Sequence, residues 1–371
     1  MKKIGILSMH RVVNYGSFLQ AYALKKIIEN CGECQISFVD IRNGKSLYPI
    51  DNSKFGKVSR VFKYLIKGKL PLIIQNKKFK KILKNQFEKD FYPLLGNIVP
   101  PDSCSFDAVV IGSDEVFHCC QQTSWGFTTQ LYGDIPNSKK IISYAASFGA
   151  TQIENILAFN LSDEISLSLR KLDAISVRDD NSRSIVNQLI NVSPDKHLDP
   201  VLVYGYKKEM DEYPDFNSEE NFLLVYSYNG RISDKKEINC IKDFARKKSL
   251  KIYTIFCDYK WADKLILPKT PCEMLKVFQK SKYVVSDTFH GTIFSIITHN
   301  KFCTLMRQSS VNKITSMLDS LNLSTHIVND FNMFDEILEQ EIDYENVEKL
   351  LEYERIKTEN YLKNNLFGEN K

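Results

Sequence analysis

Apolar residues along this chain fall in two rhythms. Short, nearly unbroken runs alternate with longer stretches in which apolar positions return every three or four residues. The first rhythm reads as strands buried on both faces, the second as helices with one apolar side. Ile4–Met9 predicts a strand. Ser17–Asn30 predicts a helix with Phe18, Ala21, Tyr22, Leu24, Ile27 and Ile28 on its apolar side, and Gln35–Ile41 the next strand. Further strands are expected at Ala108–Gly112, Lys140–Ala146 and Ala174–Val177, and Val192–Val203, with its Asp199-Pro200 turn, closes the first unit. Residues 205–220 are polar and acidic and make the best linker. A second alternation follows: strand 222–228, helix 233–248, strand 251–256, helix 271–280, strand 283–286, helix 291–298, strand 302–305. The charged stretch 343–365 is one more helix.

Strand–helix–strand repeats build parallel sheets with right-handed crossovers. The expected fold is therefore α/β, with two parallel-sheet domains facing a cleft. Residues 1–205 form an N-terminal domain, 220–335 a C-terminal one, and 340–371 a helix that packs back across both. Ligands in such folds sit outside the carboxyl ends of the strands.

Composition keeps that picture and narrows the setting. A chain of 371 residues that is 43% hydrophobic and 26% charged is an ordinary globular protein. Its apolar start is broken by His10 and Arg11, which reads as a strand and not a signal peptide. Nine scattered cysteines fit reduced thiols, and a lone Cys31-x-x-Cys34 lacks the partners of a zinc site. A cytoplasmic protein without a metal is expected. Net charge is +5, yet Lys54–Asp90 holds twelve Lys/Arg against two acids, so that stretch is +10 and the remainder −5. Its period is helical, with Val58, Val61, Phe62, Leu65 and Ile66 on one side. Such a helix suits peripheral contact with anionic lipid at the inner face of a membrane. Nucleic acid is a poorer partner, because the patch is local and no recognition motif accompanies it.

The unusual polar residues cluster where predicted strands end. After the first strand come Asn14-Tyr15-Gly16-Ser17, a turn opening a helix whose free N–H groups favour an anion or a sugar hydroxyl. Ser113-Asp114-Glu115 follows the strand at 108–112 and offers two carboxylates for general-base work. Ser147 lies in a stretch of small residues that lets a ligand approach the backbone. Arg178 stands just past a strand, with a guanidinium suited to carboxylate or phosphate. Ser286-Asp287-Thr288-Phe289-His290-Gly291 places a histidine at a strand-to-helix turn, where it can hold an anion or shuttle a proton near neutral pH.

In this order the segments resemble the polysaccharide pyruvyl transferase family. The matching pieces are Lys3–Leu7 with Asn14–Leu24, Gly112–Phe117, Ser143–Gly149, Ser176–Arg178, Asp199–Leu202 and Ser286–Gly291. The resemblance implies two Rossmann-like domains of the glycosyltransferase B type. It implies a transferase that moves the enolpyruvyl group of phosphoenolpyruvate onto a sugar of a cell-surface polysaccharide or its lipid-linked precursor, generally as a pyruvate ketal. Phosphoenolpyruvate is then a co-substrate, and no cofactor is needed. Carried over residue by residue, His290 and Arg178 meet the donor and Asp114 stands near the acceptor. His290 and Asp114 divide the acid and base roles in either order. Asn14, Tyr15, Gly16, Ser17, Ser113, Glu115, Ser147, Thr288, Phe289 and Gly291 complete the substrate-binding set. Two positions depart from the family. Thr288 stands where some members have an arginine two residues before the histidine, and Glu115-Val116-Phe117 where many have Gln-Val-Trp. A nucleotide-sugar glycosyltransferase and a non-catalytic sugar-binding protein on the same fold are the rival readings.

Overall fold

A computed structural model describes residues 1–48 and 81–368. Of the basic stretch 54–90, residues 54–80 lie outside the described residues.

The first sheet has seven parallel strands: β1 (Lys2–Leu7), β2 (Cys34–Val39), β3 (Asn97–Val99), β4 (Ala108–Asp114), β5 (Ile141–Ala146), β6 (Ser176–Val177) and β7 (Asp195–Lys196). Their spatial order is β3-β2-β1-β4-β5-β6-β7. The second sheet has six: β8 (Phe222–Tyr226), β9 (Lys251–Ile255), β10 (Lys264–Ile266), β11 (Tyr283–Ser286), β12 (Lys301–Leu305) and β13 (Ile327–Val328), in the order β10-β9-β8-β11-β12-β13. Each sheet therefore grows in one direction from its first strand and then reverses. The reversals fall between β1 and β4 and between β8 and β11, and the crevice above such a reversal is where α/β sheets bind ligands.

Five helices place the site. α1 (Tyr15–Cys31) follows β1, and α2 (Pro200–Tyr204) lies beside it. α3 (Phe289–Ile297) follows β11, α4 (Val311–Ser320) follows β12, and α5 (Tyr344–Leu362) is near the end of the chain. α1 begins at Tyr15 because Asn14 caps it: the Asn14 Oδ1 accepts from the N–H groups of Gly16 (2.7 Å) and Ser17 (3.4 Å). Phe18, Leu19, Leu24, Ile27 and Ile28 of this helix are buried. Each such side chain contributes on the order of 1.5–3 kcal/mol. They belong to an apolar cluster that runs through both sheets' domains, from Ile4 and Val110 to Phe294 and Leu351.

Val192–Val203, the expected close of the first unit, holds the two-residue strand β7 and the helix α2. Asp199 caps α2 through its Oδ1, which accepts from the Val201 N–H at 3.0 Å, and Pro200 fills the first helical position. The polar stretch 205–220 likewise contains a helix, Lys207–Glu212.

α5 ties the two halves together. At its start the Tyr344 hydroxyl donates to the Asn300 carbonyl at 2.5 Å, next to β12. Towards its end the Tyr361 hydroxyl donates to the Ser143 carbonyl of β5 at 2.7 Å, and Thr358 meets the Tyr144 hydroxyl at 3.2 Å. Between Tyr144 and Tyr361 sits His197, 3% exposed, with an Nδ1 that makes no hydrogen bond. Burial, with some help from Lys357, pulls this imidazole down to about 4. The unfolded chain takes up that proton near pH 6.5, so it gains stability as the pH falls. The His197 contribution is thus complete above about pH 6.5 and declines towards pH 4, by roughly 3 kcal/mol in all. His197→Phe keeps a ring between the tyrosines and removes the proton site. Urea midpoints measured from pH 7 to pH 4.5 are expected to fall less steeply in this variant; parallel slopes would remove His197 as the cause.

Candidate functional site

β4 is buried over its whole length and ends in Asp114, whose φ of 72° is in the left-handed region. Gly112 just before it has φ 136°, and a Cβ there would stand 2.1 Å from the Tyr144 carbonyl oxygen. The close approach to β5 requires glycine. This end of β4 places the Asp114 carboxylate opposite the start of α1, where the Ser17 hydroxyl donates to its Oδ2 at 3.2 Å.

On the other side of the cleft, β11 ends in Ser286 and the chain turns into α3. Thr288 caps the helix, its Oγ1 accepting from the Gly291 N–H at 3.0 Å. This cap starts the helix at Phe289, two residues earlier than the apolar pattern indicates. A Cβ on Gly291 would lie 2.1 Å from Ser286 Oγ, so glycine here lets helix and strand touch. The turn delivers His290 across the domain boundary, against the first turn of α1. A Cβ on Gly16 would be 2.4 Å from His290 Nδ1. Gly16 is thus the floor on which the imidazole rests.

Between these two walls lies a cavity of about 340 Å³. Asn14, Ser17, Asp114, Glu115 and His118 line it from the first domain, and Tyr228, Arg231, Thr288, Phe289, His290, Ser309, Ser310 and Lys313 from the second. Seven residues expected at the site from sequence meet here: Asn14, Ser17, Asp114, Glu115, Thr288, Phe289 and His290. Six take other places. The Tyr15 hydroxyl donates to the Pro268 carbonyl at 3.0 Å and joins the two domains. Gly16 and Gly291 allow the close approaches just described. Ser113 Oγ donates to the Ala145 carbonyl at 3.1 Å within the sheet, and Ser147 Oγ to Asp179 Oδ2 at 2.5 Å.

Arg178, the sixth, lies behind the cavity and not on its lining. It is 4% exposed. Its Nη1 donates to Asp199 Oδ2 at 2.6 Å, its Nη2 is 3.6 Å from Asp114 Oδ1, and its guanidinium lies 4.3 Å from the Phe289 ring centroid. Arg178 thereby acts on the cavity through Asp114. Burial alone would raise the Asp114 carboxyl, but Arg178, His290 and Lys313 outweigh it and hold the group below its ordinary value. Burial dominates at His290 and lowers its pKa, against the pull of Asp199 and Asp114. The Nε2 of His290 makes no hydrogen bond. At neutral pH the cavity therefore holds an ionised aspartate and a neutral histidine with an unused nitrogen.

Sequence reasoning missed two cations. Lys313, in the first turn of α4, forms an ion pair with Glu115 across the cleft and lies 5.3 Å from the Phe289 ring centroid. Arg231 follows β8; its Nη1 donates to the Asp287 carbonyl at 3.2 Å and its Nη2 to Ser309 Oγ at 3.0 Å. Asp287 is buried, and Arg307 Nε donates to its Oδ2 at 2.9 Å. Arg231 stands shortly after a strand, as Arg178 does, and that shared position was the available signal. Among the described residues no group of three or more His, Cys, Asp or Glu is placed to hold a metal ion, and no helix is long and apolar enough to cross a membrane.

Comparison with known proteins decides the family. The family model described as polysaccharide pyruvyl transferase matches residues 14–309, most of the chain. The chain belongs to the polysaccharide pyruvyl transferase family. A search of curated proteins finds no match to the sequence. Among solved structures, UDP-GlcNAc 2-epimerase of Methanocaldococcus jannaschii aligns over 96% of this chain and 99% of its own, with a TM-score of 0.50 and 9% identity. Arabidopsis thaliana UGT89C1 in complex with UDP-L-rhamnose aligns over 98% of each chain, with a TM-score of 0.50 and 10% identity. At such identities the likeness concerns the fold, which is that of GT-B glycosyltransferases and epimerases. The Thr288 side chain is committed to capping α3, and Arg231 and Lys313 bring cationic charge to this cavity from outside the Ser286–Gly291 turn.

Proposed function

We propose that the protein transfers the enolpyruvyl group of phosphoenolpyruvate to a sugar of a cell-surface polysaccharide or its lipid-linked precursor, with a pyruvate ketal as product. One observation carries this reading: a single cavity sets Arg231, Lys313 and the unused Nε2 of His290 opposite the ionised Asp114.

Phosphoenolpyruvate brings a phosphate and a carboxylate, which need cations and N–H donors. Arg231, Lys313 and the serines at the start of α4 supply them. A dianion beside His290 opposes the effect of burial and raises the imidazole's proton affinity. His290 then carries the proton that the methylene carbon must receive. Protonation leaves an oxocarbenium-like centre at C2. A sugar hydroxyl adds there, giving up its proton to Asp114. Loss of phosphate and addition of a second hydroxyl close the ketal. Asp114 is a weak base at its lowered pKa, so its main contribution is to orient the hydroxyl and stabilise the positive centre.

Phosphate release from phosphoenolpyruvate, screened over sugars and lipid-linked sugars, tests the chemistry. Thermal unfolding tests the donor without an acceptor. Phosphoenolpyruvate at 100 times its Kd is expected to stabilise by about 2.7 kcal/mol, whereas UDP is expected to give no shift. A shift with UDP alone would overturn the donor and favour a nucleotide sugar.

A further inference from the structure

The cavity wall carries a chemistry that pyruvyl transfer does not use. Cys119 and Cys120 are the central residues of a turn closed by the Gln121 N–H, which donates to the His118 carbonyl at 3.2 Å. Their Sγ atoms are 3.7 Å apart. The outer residues of the turn, His118 and Gln121, both line the cavity that holds His290. Thr151 joins these parts. Its hydroxyl meets His118 Nδ1 at 2.6 Å and favours the thiolate form of both cysteines. On the far side of the turn a second cavity of about 210 Å³ is lined by Cys119, Gln121 and Tyr48, and the Tyr48 hydroxyl donates to the Cys120 carbonyl at 2.9 Å.

We propose that Cys119 and Cys120 form a reversible redox-modification site, which takes a small-molecule disulfide as its oxidant and closes to a vicinal disulfide at the edge of the donor cavity. Cys120 is half-buried, whereas Cys119 is 7% exposed. The hydrogen bond from Cys119 brings the Cys120 thiol down to about 7, against the effect of burial, and the same bond pushes Cys119 up. Cys120 is therefore the attacking thiolate and Cys119 the resolving thiol. The Cys120 thiolate attacks one sulfur of the oxidant, whose S–S bond breaks and releases one thiolate. A mixed disulfide remains on Cys120. Cys119 then loses its proton to solvent and attacks Cys120 Sγ, which expels the second thiolate. Two protein thiols are oxidised, and one disulfide is reduced to two thiols.

Closure brings the sulfurs from 3.7 Å to bonding distance. Both central residues of the turn must move. His118 and Gln121 shift with the turn, so oxidation reshapes the wall opposite His290.

The test uses the full chain carrying Cys104→Ser, since Cys104 is the exposed thiol. It is treated with oxidised glutathione and read by peptide mass. The expected product is a peptide containing residues 119 and 120 that has lost two hydrogens, restored by dithiothreitol. With Cys119→Ser added, the reaction is expected to stop at one glutathione on Cys120; with Cys120→Ser added, this peptide is expected to stay unmodified. A stable glutathione adduct on the Cys104→Ser protein, or no reaction at either cysteine, would overturn the proposal. The effect on the cavity rests on phosphoenolpyruvate as donor and has its own readout. The oxidised protein is expected to bind phosphoenolpyruvate at least tenfold more weakly than the reduced one. Equal affinity would refute the coupling and leave the modification standing, while a failure of phosphoenolpyruvate to bind either form would count against the donor reading alone.

Discussion

Arg178→Met is expected to lose about 3–5 kcal/mol of stability, the usual cost of removing one partner from a buried ion pair. The guanidinium stands between two buried carboxylates, those of Asp199 (1% exposed) and Asp114 (8% exposed). Methionine fills most of the space but leaves both acids without their cation. Asp199 must also remain an acceptor, because it caps α2. Arg178→Lys retains the charge but not the fork that reaches both acids, so an intermediate loss is expected. Denaturant midpoints for the three proteins check the order. The same experiment separates two roles for this arginine. If Arg178 gripped the donor directly, the methionine variant would keep its stability and lose affinity for phosphoenolpyruvate. Stability within 0.5 kcal/mol of the unsubstituted protein would therefore overturn the placement of Arg178 as the counter-charge of Asp114.

That placement also shows what was legible in the sequence. The position of Arg178 at the end of a strand was readable, because an apolar run followed by Ser-Val-Arg marks such an end. The direction of its side chain was not. Direction is set by Asp199, twenty-one residues further on, and by Phe289 from the other domain. The two parallel sheets were legible for a simpler reason. β4, β5, β8 and β11 are buried over nearly their whole length and leave predominantly apolar runs. The short strands β3, β10 and β13 were missed because two or three residues carry no period.

The candidate site divides along the same line. Of the first-domain residues that line the cavity, Asn14, Ser17, Asp114 and Glu115 stand at or shortly after the carboxyl ends of β1 and β4, where pattern located them, whereas His118 was not located. Lys313 was missed because its meaning depends on Glu115, nearly two hundred residues away across the cleft. Glu115 was a signal in hindsight. A second carboxylate in a site for an anionic donor needs a neutralising partner. Gly16 was read as part of a substrate-binding turn that opens a helix, but it lies in the first turn of α1 beneath an imidazole, a contact that only the meeting of the two domains creates.

His290→Ala is expected to lower phosphate release from phosphoenolpyruvate by about 10²–10⁴-fold, the range for loss of a general acid. Gly16→Ala is expected to come close to the same loss without touching the histidine. Alanine is the better helix former, by about 1 kcal/mol in a helix interior, so the backbone of α1 has no objection to it. The obstacle is space: the added methyl would stand 2.4 Å from Nδ1 and 2.5 Å from Cγ of His290. Both atoms belong to a rigid ring whose neighbours Phe289 and Phe294 are buried. Either the ring leaves the cavity or α1 shifts, and in both cases Nε2 no longer faces the donor. Because the two substitutions act through one side chain, their effects are not additive. The double variant is expected to be as slow as His290→Ala alone, with a far-ultraviolet circular dichroism spectrum like that of the unsubstituted protein. Undiminished phosphate release by His290→Ala would remove the histidine from the mechanism. A double variant slower by the product of the two single effects would show instead that Gly16 serves the reaction through some group other than His290.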